Sequence, residues 1–101
     1  MFTLIGEHID GDDSIEHYAA DFKVKCDGTS LWGHTAGRVV HVTGATVIRE
    51  EGQVRHVSVE HDSDWDIYTD TAFEQAISAA LGFEVHFTEQ GMQENGYASM
   101  E

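Results

Sequence analysis

The stretch RVVHVTGATVIREEGQVRHVSVEH, residues 38–61, is rich in β-branched residues and is interrupted by a single turn signal, Glu51-Gly52. Valine, isoleucine and threonine favour the pleated, half-buried surface of a sheet, and an acidic residue followed by glycine suits a two-residue hairpin turn. Residues 45–50 and 53–61 are therefore expected to pair as a hairpin. Residues 38–43, with Val39, Val40 and Val42, read as the strand before it, so a meander follows.

Downstream, Thr71 and Glu74 have the spacing of a capping box. Phe73, Ala76, Ile77, Ala80 and Leu81 then fall on one helical face, and Gly82 supplies a residue able to end the helix in the left-handed region. The spacing predicts a helix over 71–81. Immediately afterwards Phe83, Val85 and Phe87 alternate with Glu84, His86 and Thr88, the period of a strand with one buried face.

Upstream, residues 15–26 fit two periods. Ile15, Tyr18, Ala19 and Phe22 have helical spacing, while Tyr18, Ala20, Phe22, Val24 and Cys26 alternate strictly. The strand is favoured, because alternation runs on through Phe-Lys-Val-Lys-Cys, and Asp27-Gly28 then signals a tight hairpin into 29–32. Residues 2–9 make a first strand. With no proline, repeat or linker, residues 1–101 read as a single α+β domain: a largely antiparallel, curved β-sheet of about six to eight strands, with the helix packed on it. One helix has too little apolar surface for so large a sheet, so the sheet must curl on itself or a second subunit must cover part of it. A homodimer is one expectation.

The charge is as uneven as the hydropathy. The chain carries 19 acidic and 5 basic residues, a formal net charge of −14 at pH 7 with histidine neutral. All the basic residues, Lys23, Lys25, Arg38, Arg49 and Arg55, lie within the central meander. The flanks carry acid alone. If the central strands present their cations on a common face, the molecule is dipolar. Nucleic acid and anionic membranes need a cationic footprint, so neither is expected as a partner. A basic protein partner, self-association or adaptation to a saline habitat remain. The apolar runs are too short to span a bilayer, the N-terminus lacks the marks of a signal peptide, and the lone Cys26 suits a reducing compartment. A cytoplasmic location is expected.

Among candidate sites, the densest polar cluster is Glu60-His61-Asp62-Ser63-Asp64-Trp65-Asp66, with Asp70 beyond. Asp62, Asp64, Asp66 and Asp70 match several positions of a calcium loop, but Ile67 replaces the turn glycine and Phe73 the bidentate glutamate. An acidic surface capping the helix N-terminus is the better reading. Trp65 could anchor an interface there; the plainer alternative points Trp65 and Ile67 inward from an edge strand, with Asp64, Asp66 and Tyr68 pointing out. His56 and His61 fall on opposite faces of one strand, so they do not share a metal. Neither metal nor cofactor is expected. Cys26 alternates with Val24 and Phe22, the position of a buried, inert thiol.

Two functional readings follow. The first is a non-enzymatic interaction protein whose acidic surface, centred on Asp62, Asp64, Trp65, Asp66 and Asp70 and on residues 7–21, engages a basic protein with carboxylates standing where phosphates would. The alternative is a small ligand-binding protein or enzyme with a pocket in a curved sheet, its polar groups supplied by His41, His56 or His86.

Overall fold

The computed structural model describes residues 1–31, 33–87 and 98–99, with the side chains of Trp65, Ala98 and Ser99 outside the description. Four long strands, β1 (Thr3–Asp10), β2 (Asp13–Lys25), β3 (Val39–Glu50) and β4 (Gln53–His61), form an antiparallel sheet in chain order. A 3-10 helix, Trp65–Thr69, leads into α1 (Thr71–Leu81), and the two-residue strand β5 (Ala98–Ser99) pairs with β4.

The 38–61 hairpin forms as its sequence requires. Glu50 pairs with Gln53, and both turn residues have positive φ, 55° at Glu51 and 76° at Gly52. That combination matches the right-handed twist of the flanking strands. The strand reading of 15–26 also holds. On β2 the even-numbered Tyr18, Ala20, Phe22 and Val24, with Cys26 just beyond, pack on the core. The odd-numbered Ile15, His17, Asp21, Lys23 and Lys25 face away.

The sheet is open and uncurled, and the expectation of a curved sheet of six to eight strands is corrected. Three predicted strands account for the difference. Residues 38–43 and 45–50 belong to one strand, β3, whose register shifts between Val42 and Gly44. A Cβ on Gly44 would lie 2.8 Å from the Tyr18 carbonyl oxygen and 2.9 Å from a Glu60 carboxylate oxygen. Glycine thus lets three strands close up where β3 bulges.

Residues 29–31 form no strand. The Gly28 amide donates to Asp70 at 3.0 Å, so the chain leaves β2 to fasten the helix instead of folding back as a hairpin. The β2–β3 connection closes at Cys26, whose amide bonds the Arg38 carbonyl at 2.8 Å. Trp32 lies outside the described residues.

Residues 83–87 are not a strand either, although burial alternates as predicted. Val85 and Phe87 are buried while Glu84 and His86 are exposed. The amides a ladder would use are met by α1 side chains: Val85 N donates to Ser78 Oγ at 2.9 Å and Phe87 N to Glu74 Oε2 at 3.1 Å. Thr88 lies outside the described residues.

The helix is as predicted, with one correction at its start. Asp70, not Thr71, is the N-cap, its side chain accepting from Phe73 N at 3.3 Å. Thr71 enters the helix because its own amide donates to Thr29 Oγ1 at 2.7 Å, a contact from 42 residues away. Gly82 ends α1 with φ 87°. Phe73 and Ile77 are fully buried against Val40, Val42, Val47, Val57 and Ile67. Tyr68, Phe73 and Phe87 pack with ring centroids 4.8 to 6.3 Å apart. This layer covers one face of β2 to β4. It leaves β1 almost wholly exposed, and among the described residues no helix or further strand lies over the opposite sheet face.

Candidate functional site

The acidic segment 62–70 divides into surface and interior. Asp70 is fully buried. Its carboxylate accepts from the Thr35 hydroxyl at 2.6 Å, from the amides of Gly28 at 3.0 Å and Asp27 at 3.3 Å, and from the capped Phe73 amide. Burial alone would raise its pKa, but these donors outweigh it and hold the pKa below the usual carboxylate value. Asp66, 5% exposed, sits 2.6 Å from His34 Nε2 and 3.4 Å from Arg38 Nη1. Both carboxylates fasten the 27–38 loop to the helix entry.

Asp62 and Asp64 remain on the surface. Asp62 accepts from the His41 amide at 2.9 Å, and Asp64 lies 3.6 Å from Arg38 while staying 80% exposed. The edge-strand expectation for 64–68 is corrected. The backbone is a 3-10 helix, whose three-residue turn cancels period-two alternation, so Asp66, Ile67 and Tyr68 are all buried. The Tyr68 hydroxyl donates to the Val59 carbonyl at 3.0 Å. The side chain of Trp65 lies outside the description.

The three imidazoles of the alternative reading stand in different places. His41 and His56 lie on the uncovered face, His41 across from Lys23 and His56 beside Ile48. The seven-residue offset along β3 between those rows places them roughly 23 Å apart. His41 pairs with Asp21 at 2.6 Å. His86 is on the helix side, 2.7 Å from Glu84 and 3.4 Å from Glu74. Hydrogen bonding to Glu84 raises its pKa. Cys26 is 2% exposed, and burial, then the charge of Asp70, pushes its thiol up to about 11. It is a buried thiol, not a thiolate nucleophile.

The largest concentration of exposed acid was not legible as a unit in sequence. In a four-strand meander the β1–β2 and β3–β4 turns fall at the same end of the sheet, and here they touch. Gly52 N donates to the Asp12 carbonyl at 2.9 Å, and Glu51 N to Asp13 Oδ1 at 2.9 Å. Asp10, Asp12, Asp13, Glu50 and Glu51, all exposed, converge there. A neighbouring cation is already engaged: Arg49 Nε donates to the buried Glu16 at 3.0 Å, and its guanidinium lies over the Phe83 ring, 5.4 Å from the centroid. A groove of about 290 Å³ runs between the turns, lined by His8, Asp10, Asp13, Ile15, Ile48 and Glu50 among others. The parity of hairpin turns was the available signal.

No family model, curated protein or solved structure matches the chain.

Proposed function

We propose that this chain is a binding protein that docks a basic protein surface against the acidic end of its sheet, the carboxylates of Asp10, Asp12, Asp13, Glu50 and Glu51 taking positions that phosphates take in nucleic acid. The observation that carries the reading is the fastening of the two turns to each other. Hydrogen bonds between them hold together the two turns that carry five carboxylates, and the neighbouring Arg49 guanidinium is engaged by Glu16 and Phe83. An array held this way is pre-organised, so little ordering entropy is lost on docking. Complementary charge accelerates association and makes it salt-sensitive. Asp62 and Asp64 carry less of the function, because Asp64 lies beside Arg38 and two carboxylates make a smaller array than five.

The test is charge reversal. Asp12→Lys with Glu51→Lys should lower affinity for a lysine- and arginine-rich protein probe at least tenfold, with unchanged circular dichroism and melting temperature. Asp62→Lys with Asp64→Lys should lower it far less. Equal losses in both pairs, or binding indifferent to salt, would refute the assignment to the sheet end.

A further inference from the structure

We infer that β1 pairs antiparallel with β1 of a second copy, joining two molecules into one continuous sheet across a two-fold axis. This inference does not depend on the function proposed above. Strand β1 is bonded to β2 along one side, and among the described residues no strand occupies its other side. Such an edge presents a row of unpaired backbone donors and acceptors, which folded chains blunt with charged side chains (lysine above all), proline, a bulge or a covering element; on β1 the bulge at Ile5 and the charge of Glu7 are the devices present. Residues 1–22 contain no lysine, arginine or proline.

Apolar surface gathers at the same place. Met1, Leu4, Ile5 and Ile9 are 73, 49, 69 and 64% exposed, four of the seven large apolar side chains exposed among the described residues. Among those residues the helical layer stops short of β1 and leaves the four uncovered.

The occupant is read from the strand itself. Leu4 pairs with Tyr18 and Gly6 with His17, so Ile5 is an extra, bulged residue. Leu4, Glu7 and Ile9 therefore share the helix-side face, and Thr3, Gly6, His8 and Asp10 share the other. A two-fold axis perpendicular to the sheet keeps faces matched. With that axis at Glu7 and Ile5 bulged in both copies, Leu4 lies opposite Ile9 of the second copy, Gly6 opposite His8, and Thr3 opposite Asp10. Every pair shares a face, each apolar residue on the helix side meets an apolar one, and the only like-charge contact is Glu7 against its own mate. An unrelated strand has no reason to satisfy this pattern.

The area sets the strength. Eight residues at about 3.3 Å each give roughly 26 Å of edge, and over the ~10 Å depth of one sheet layer about 260 Å² per partner, short of the ~800 Å² per partner of a standard interface. The dimer is weak, and two copies of charge −14 repel each other, so salt strengthens it.

Sedimentation velocity over a concentration series at low and high salt tests this on the whole chain. The dimer fraction should rise with salt, opposite in sign to binding of a cationic protein. Ile9→Lys should abolish dimers without changing the circular dichroism spectrum. Glu7→Gln, which removes the repulsion at the axis, should lower the dissociation constant about two- to fivefold. Asp12→Lys with Glu51→Lys should still dimerise. Monomers at every concentration, or a dimer that survives Ile9→Lys, would overturn the proposal; loss in Ile9→Lys without tightening in Glu7→Gln would overturn the register.

Discussion

At the scale of single residues, Asp70 carries the most structure. One buried carboxylate caps α1 and holds two amides and a hydroxyl of a loop more than thirty residues away in sequence. Asp70→Ala removes the cap and strands those donors, and should cost about 2 to 4 kcal/mol in chemical denaturation. The pH dependence has a definite sign. The folded pKa lies below the unfolded one, so Asp70 stabilises the fold above the unfolded value and loses that contribution as pH falls through the folded one. Asp70→Asn should flatten the acid limb of a stability profile below about pH 4.

His61 acts in the neighbouring window. Burial lowers its pKa, and Nδ1 accepts from the Ser63 amide at 3.1 Å, a bond the protonated ring cannot accept. Its stabilisation is present above the unfolded histidine value, about 6.5, and is lost as pH falls below it. His61→Phe should remove that slope below about pH 6.5. The sequence could not reveal the role of Asp70. Thr71-x-x-Glu74 is a sound capping box, and only the distant Thr29 hydroxyl, which takes the Thr71 amide, moves the cap back by one residue.

At the scale of elements, period-two alternation was legible wherever backbone pairing agreed with it. β2 keeps its core face from Glu16 to Val24, β4 keeps it from Val57 to His61 but loses step at Arg55, where the register shifts, and the Glu51-Gly52 turn follows its composition. Alternation failed as evidence for a strand at 83–87, since it reports which side is buried and not who satisfies the amides. Ser78→Ala and Glu74→Ala should therefore raise amide exchange at Val85 and Phe87 respectively, leaving β3 protection intact. The bulge at Gly44 was invisible for a related reason: the sequence shows a glycine between two runs but not the carbonyl beside it. Gly44→Ala should cost about 1 to 3 kcal/mol, because the Tyr18 oxygen is backbone and cannot swing away.

At the scale of the whole molecule, the uneven charge resolves into three dimensions. The cations do not form a strip on one face. Lys23 and Lys25 project from the uncovered face, Arg49 points into the helical layer against Glu16, and Arg38 reaches Asp66 and Ser63. Segregation along the chain was plain in the sequence; convergence in space depends on the parity of hairpins and the register of β3, which composition does not encode. Two acidic turns about forty residues apart meet because two strands, β2 and β3, with one reversal between them, separate them. Among the described residues, no helix is long and apolar enough to cross a membrane.

The most direct test of the account is a nitrogen-15 NMR titration of the whole chain with an oligo-arginine peptide. The account predicts amide shifts concentrated at residues 10–13 and 50–52, reversed by added salt. Shifts centred on Asp62 and Asp64, or spread evenly over every exposed carboxylate, would contradict it.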